Sequence, residues 1–310
     1  MRKTFNFLRQ NLWLLAAVSA SVGAQNNAPA GGPPPVVATP LATPAEPDAI
    51  ALYPETSGKL ANTENWTQLW GQRMVRNVNR PVLLPVRPAA GKANGQVVLV
   101  VPGGGYTFVS IDNEGYAIAN RMAAAGYTAF ILKYRVKATA PDTDQFGKDL
   151  TESIRQELST PRDQRPPLAV HAPAVEDAQQ AMRLVAKLAG EWKLNAERIA
   201  YIGFSAGART GGALVAAAVP GTQPHTVGLI YGPMQAINPK GALPPLFTAL
   251  AADDPLISPS EFGLVQTWLK AGARVELHFY ERGSHGFGLR PQGTTSDAWM
   301  DSYLNWLSKQ

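Results

Sequence analysis

The sequence predicts an α/β fold, a mostly parallel sheet with helices on both faces. Two observations carry that expectation. From about residue 51 onward, strand-like and helix-like segments alternate along the chain. Within the alternation, the β-branched and aromatic run at 199–204 enters Gly203-Phe204-Ser205-Ala206-Gly207, and an alanine-rich helical segment at 213–218 follows. This is a strand, a sharp turn and a helix, the setting in which a G-x-S-x-G serine is held out on a strained turn as a nucleophile.

The elements follow in chain order. Residues 75–87 read as early strands, and Pro81 and Pro85 within them point to edge positions. Residues 97–101 are a buried strand. Residues 113–125 are helical, with Asp112 as the cap and Gly126 as the stop. Residues 127–134 form the next strand. Residues 138–172 break the rhythm: they are rich in Asp, Pro, Arg and Gln, with one short helical stretch around 149–158. Such insertions serve as lids or as solvated excursions, and both readings stay open. Residues 173–190 are an amphipathic helix, with Val175, Ala178, Met182, Val185 and Leu188 at helical spacing. Residues 198–204 are the strand before the serine, and 227–231, 246–251 and 274–280 are three more. The last helices cover 261–271 and 296–307.

Chemistry-bearing residues lie just after these strands. Pro102-Gly103-Gly104-Gly105-Tyr106 follows the strand at 97–101, and its glycines let backbone N–H groups converge on one point, as a negatively charged carbonyl oxygen requires. Asp253-Asp254-Pro255 follows the strand at 246–251, and Gly283-Ser284-His285-Gly286-Phe287-Gly288 follows the strand at 274–280. Ser, then Asp, then His is a known chain order for a serine hydrolase triad. Of the four histidines, His278 lies inside a strand and His225 in a loop with no obvious partner. His171 sits in the insertion, at the surface or in a lid. His285 alone occupies a glycine-flanked loop, so it is the expected base for Ser205. Asp254, farther into its loop beside Pro255, is preferred as the third member, with Asp253 bonding the backbone of its own turn.

Composition narrows the alternatives. A chain of 310 residues that is 45% hydrophobic has ample material for a core. Arg2, Lys3 and Arg9 account for three of its five net positive charges, and no basic stripe is interleaved with aromatics, so nucleic-acid binding has no support. Residues 1–24 read as a cleavable export signal: a basic start, an apolar stretch and Val22-Gly23-Ala24 at the cleavage point. Cleavage after Ala24 predicts a periplasmic or secreted protein without a membrane anchor. Residues 25–50, with seven prolines and six alanines, read as a linker without fixed structure, leaving 51–310 as the catalytic domain. The chain has no cysteine, and its histidines lack metal-site spacing, so no metal and no cofactor is expected. The glycine loop matches neither the phosphate-binding nor the dinucleotide-binding fingerprint.

Taken with these residues, the chain resembles the α/β-hydrolase superfamily, in particular exported bacterial carbohydrate esterases of the acetyl-xylan and feruloyl esterase (BD-FAE-like) group. The resemblance covers roughly residues 70–308. It rests on Pro102-Gly-Gly-Gly-Tyr106, Ile111-Asp-Asn-Glu-Gly115, Phe130-Ile-Leu-Lys-Tyr-Arg135, Glu176-Asp177-Ala178, Gly203-Phe-Ser-Ala-Gly207, Asp254-Pro255 and Ser284-His285-Gly286-Phe287. It implies an eight-stranded-type, mostly parallel sheet, and backbone N–H donors to the oxyanion at Gly104, Gly105 and Ala206. Pro102 stands where hormone-sensitive-lipase-like esterases carry a histidine, which disfavours that group. Ala208-Arg209 follows Gly207 where relatives often have another glycine. The expected activity is hydrolysis of short acyl esters, acetyl above all, on small-molecule or oligosaccharide substrates. Its rivals are a prolyl-oligopeptidase-like peptidase and a hydrolase fold reused as a binding module. The sugar and the oligomeric state are not legible in the sequence.

Overall fold

In the computed structural model, which describes residues 34–166, 168–257 and 262–310, the apolar runs become the centre of a sheet. The strands are β1 (Thr39–Leu41), β2 (Ile50–Ala51), β3 (Asn65–Leu69), β4 (Gln72–Arg76), β5 (Val82–Val86), β6 (Val97–Val101), β7 (Thr128–Lys133), β8 (Ile199–Phe204), β9 (Thr226–Ile230), β10 (Leu246–Ala251) and β11 (Val275–Tyr280). The helices are α1 (Pro54–Ser57), α2 (Ala117–Ala124), α3 (Thr143–Ser159), α4 (Ala172–Glu191), α5 (Ala206–Ala217), α6 (Gly263–Lys270) and α7 (Trp299–Leu307).

The main sheet has eight strands in the order β11-β10-β9-β8-β6-β7-β5-β2. The six from β11 to β7 run parallel, whereas β5 is antiparallel to β7 and β2 antiparallel to β5. Strands β6, β7, β8, β9 and β10 are buried along their whole length, as parallel strands covered on both faces must be. Edge strand β11 is only partly covered and leaves Leu277 and Phe279 exposed. Pro85 lies in β5 beyond the short cover of β2, which pairs only with Leu83 and Val82. Helices α4 and α5 pack together. Helices α2 and α7 are joined by the Arg121–Asp301 ion pair at 2.7 Å. The chain leaves β6 for β7 on one side and later returns to β8 on the other, so the topological switch point lies between β6 and β8. In open α/β sheets ligands bind there, beyond the carboxyl ends of the strands.

Four expectations change. Residues 34–50 are not a structureless spacer: β1 pairs with β3 in a second, three-stranded antiparallel sheet (β1-β3-β4), and β2 closes the main sheet. Both pieces are short edge strands, where the prolines between them are tolerated. Glu46 anchors the segment, sharing buried Lys133 with Glu64 at 2.5 and 2.9 Å. Second, the helix at 113–125 begins as a π-helical turn, Ile111–Tyr116, before α2. Asp112 is not its cap, because its carboxylate binds Arg73 through the backbone N–H at 2.8 Å and Nη2 at 2.7 Å. Third, the insertion carries a 17-residue helix, α3, rather than a short stretch. Asp142 caps it by accepting the Gln145 N–H at 2.8 Å, a D-x-x-Q capping signature. Its buried face (Phe146, Gly147, Thr151) packs on residues 36–38, with the Val36 N–H donating to Thr151 Oγ1 at 2.8 Å. Fourth, the last helix opens as a 3-10 turn, Thr295–Ala298. Residues 1–24 and residues 25–33 of the proposed linker lie outside the described residues. Among the described residues, no helix is long and apolar enough to cross a membrane.

Candidate active site

Ser205 sits at the end of β8 with φ +48° and ψ −110°, a region that costs a non-glycine residue about 1–3 kcal/mol and so must be held by its surroundings. Its own backbone ties supply part of that hold: Ser205 N–H donates to Ile230 O at 3.0 Å, and its carbonyl accepts Arg209 N–H at 2.9 Å. The flanking glycines are required by space. A Cβ on Gly203 would strike the Gly207 carbonyl, and one on Gly207 would strike Val101 O.

Loops from neighbouring strands bring the partners. Ser205 Oγ lies 2.9 Å from His285 Nε2, and His285 Nδ1 lies 2.8 Å from Asp254 Oδ2. Asp254 is fully buried, and its other oxygen accepts the N–H groups of Leu256 and Ile257 at 2.8 and 3.0 Å. Burial works against charge on the His285 imidazole. The carboxylate of Asp254, its hydrogen bond, and the charge of Glu114 outweigh burial and raise the pKa above the ordinary histidine value.

Asp253 is placed differently from the expectation. Its Oδ1 accepts the N–H groups of Gly283 and Ser284 at 3.0 and 2.7 Å, so it binds the loop that carries His285 rather than its own turn. That loop is further held by Asn113 Nδ2 and Arg290 Nη2, which donate to Gly286 O at 3.2 and 2.9 Å.

The glycine loop after β6 runs beside the serine. A Cβ on Gly103 would lie 2.9 Å from Ser205 Cβ. Gly104 and Gly105 take φ +121° and +61°, and a side chain on Gly104 would collide with Phe108 O. Among the described residues, no protein acceptor takes the backbone N–H of Gly104, Gly105 or Ala206. The loop is anchored by Tyr134 Oη donating to Pro102 O at 2.9 Å and by the Tyr106 Oη–Thr210 Oγ1 contact at 3.0 Å.

The other three histidines stand elsewhere. His278 stacks on Phe247, His225 sits in the turn before β9, and His171 precedes α4 with its ring 5.6 Å from Tyr106. Among the described residues, no group of three or more His, Asp or Glu side chains could hold a metal ion. Sequence reasoning assigned no role to Glu114, Tyr231 or Arg162. Glu114 accepts from Gly103 N–H and Tyr231 Oη at 2.7 and 2.8 Å. Arg162 Nη1, from the insertion, donates to the Ala252 and Asp254 carbonyls at 3.2 and 2.6 Å. Glu114 lay within a motif that marked it out, whereas Arg162 reaches across 92 residues and has no local signal.

Comparison with known proteins agrees with the architecture. Residues 85–308 match the dienelactone hydrolase family. An acetylxylan esterase of Xylanibacter ruminicola is 23% identical over 258 residues, 72% of this chain and 46% of the relative. The endo-1,4-beta-xylanase B of Butyrivibrio fibrisolvens is 29% identical over 117 residues, 38% of this chain and 14% of the relative. The chain thus spans less than half the length of either relative. Among solved structures, an α/β hydrolase enzyme, MGS-M1, from a Medee basin deep-sea metagenome library shares 26% identity at a TM-score of 0.55, covering 74% of this chain and 91% of that one. An acetyl ester-xyloside bifunctional hydrolase from Caldicellulosiruptor lactoaceticus shares 21% at a TM-score of 0.57, covering 74% and 88%. The sheet order, the parallel core and the match over 85–308 agree: the protein has the α/β-hydrolase fold and belongs to the dienelactone hydrolase family.

Proposed function

We propose that the protein is an exported serine esterase, periplasmic or secreted, that removes short acyl groups, acetyl foremost, from carbohydrate esters. The observation that carries the reading is the unbroken line from Ser205 Oγ through His285 to Asp254, beside three backbone N–H groups that no acceptor among the described residues takes. In this reading His285 Nε2 takes the Ser205 proton as Oγ attacks the ester carbonyl carbon. The C=O electrons move onto oxygen, where the N–H groups of Gly104, Gly105 and Ala206 stabilise the charge. Collapse breaks the bond to the alcohol, which leaves with the proton from His285. A water molecule, deprotonated by the same imidazole, then attacks the acyl-enzyme. The second collapse frees the acid and returns the proton to Ser205. Asp254 orients the ring and favours its charged form. Every step uses groups of this chain and water.

The substrate class is supported by the names of an acetylxylan esterase and an acetyl ester-xyloside hydrolase among the similar proteins. Export is supported by residues 1–24 alone. A panel of nitrophenyl esters from acetyl to dodecanoyl, with acetylated and feruloylated sugars, tests the reading. Acetyl should be fastest, with no rise in rate above the solubility limit. Ser205→Ala should lower kcat at least ~1000-fold while remaining folded. Near-wild-type turnover in that variant would overturn the serine mechanism, and rates rising toward dodecanoyl would replace the esterase by a lipase.

A further inference from the structure

We propose that Glu114 is a positioning residue of this site, whose single buried carboxylate holds the oxyanion loop through Gly103 and sets the charge around His285. The inference rests on the esterase reading above and deepens it.

Glu114 lies in the π-helical turn and is 4% exposed. A buried carboxylate is costly unless its oxygens are hydrogen-bonded, and both of these are. Oε2 accepts the Gly103 N–H at 2.7 Å and Oε1 accepts the Tyr231 hydroxyl at 2.8 Å. Both bonds lead into the site. Gly103 immediately precedes the proposed donors Gly104 and Gly105: its N–H fixes the Pro102–Gly103 peptide, and its carbonyl, accepting the Ser110 N–H at 3.1 Å, fixes the next peptide, which carries the Gly104 N–H. A Cβ on Gly103 would lie 2.9 Å from Glu114 Oε2 and 2.9 Å from Ser205 Cβ, so carboxylate, loop and serine are mutual neighbours. The Tyr231 ring meets the His285 ring edge-on with centroids 5.2 Å apart. The loop of His285 closes over the same turn: a Cβ on Gly286 would stand 4.0 Å from Glu114 Oε1, and Asn113 holds Gly286 O.

The second consequence is electrostatic. When His285 takes the serine proton, it becomes a cation in a buried site, and a fixed negative charge nearby lowers that cost. Among the described residues, the negative charges that act on His285 include Asp254 from the loop after β10, Glu114 from the π-helical turn and, through space, Glu157 from α3. The charged groups facing Glu114 are His285 and Arg290 from the loop after β11, with the Tyr231 hydroxyl after β9. Burial raises the Glu114 carboxyl above the ordinary carboxylate range, and its two hydrogen bonds, His285 and Arg290 offset only part of that rise.

Two substitutions separate the roles. In Glu114→Gln the amide oxygen can accept the Gly103 N–H while the NH2 group donates to Tyr231 Oη, so the loop is kept and only the charge is lost. In Glu114→Ala the acceptor itself is lost. Two readouts are followed against pH: kcat/KM on acetyl esters, and the rate at which a fluorophosphonate labels Ser205, which does not depend on the natural ester. Glu114→Gln should move the acid limb of both profiles to lower pH by about half a unit or more. Glu114→Ala should lower kcat about 100-fold and change KM less than about threefold. An unshifted acid limb in folded Glu114→Gln, or wild-type kcat in folded Glu114→Ala, overturns the proposal. If the alanine variant lacks a cooperative melting transition, the glutamine pH profile decides alone. A wild type that labels but hydrolyses no ester removes the esterase reading and leaves the Glu114 test readable through the phosphonate.

Discussion

Two adjacent aspartates bind the same histidine loop, and the atoms they bind decide their roles. Asp254 Oδ1 is pinned by the N–H groups of Leu256 and Ile257, leaving Oδ2 for His285 Nδ1. In Asp254→Asn the amide oxygen must stay with those N–H groups, so the NH2 group faces Nδ1. The imidazole then adopts the tautomer with its proton on Nε2, where it cannot take one from Ser205. A fall in kcat of about 10³–10⁴ is expected. Asp253 uses a single oxygen for both of its partners, and an asparagine oxygen accepts them equally well. Asp253→Asn should therefore stay within about fivefold of wild type. The reverse order of losses, measured on folded variants, would transfer the triad role to Asp253. The pH profile reports the same site. In the proposed mechanism only neutral His285 accepts the serine proton, and its pKa is raised. Wild-type kcat/KM should therefore rise with pH through a midpoint above the ordinary histidine value of about 6.5, with activity lost as pH falls through it.

At the scale of elements, the insertion acts as a brace. Helix α3 is anchored to the small sheet by Phe146, 1% exposed beneath the Arg76 guanidinium at 4.1 Å, and by the Val36–Thr151 bond. The segment after it turns back toward the loop that carries Asp254. There Arg162 binds the carbonyls of Ala252 and Asp254, and Arg165 binds that of Pro255. Three carbonyls of the loop that carries Asp254 are thus held by guanidinium groups from elsewhere in the chain. Arg162→Ala frees the loop without opening the core, so kcat should fall about tenfold, with KM and the melting temperature close to wild type. An unchanged kcat would leave the insertion with a purely structural role.

At the scale of the molecule, residues 34–51 belong to the folded body. They supply β1 and β2, which cover the edges of β3 and β5, and they place Glu46 on buried Lys133. A chain beginning at residue 34 keeps both strands and Glu46. One beginning at residue 52 loses both edge strands and leaves Lys133 with Glu64 alone. Removing a partner from a buried charge network costs about 3 kcal/mol, a fall of roughly 6–12 °C in a domain of this size. Equal melting temperatures for the two truncated chains would show that the segment is only draped on the surface.

The sequence alone determined the parallel core, because strands buried on both faces must be apolar throughout, as Val97–Val101 and Leu246–Ala251 are. It also placed Ser205 and His285 after their strands, since a tight strand-to-helix turn and a glycine-flanked loop leave local marks. The Asp142-to-Gln145 cap was equally local, and reading it would have given α3 its full length. Only the tertiary structure decided what Glu46, Asp112, Glu114, Asp253 and Arg162 do. Their partners lie 87, 39, 117, 30 and 92 residues away in the chain, and a charge with a distant partner looks in sequence like any solvated one. Burial and pairing assign these roles, and both exist only once the chain has closed on itself.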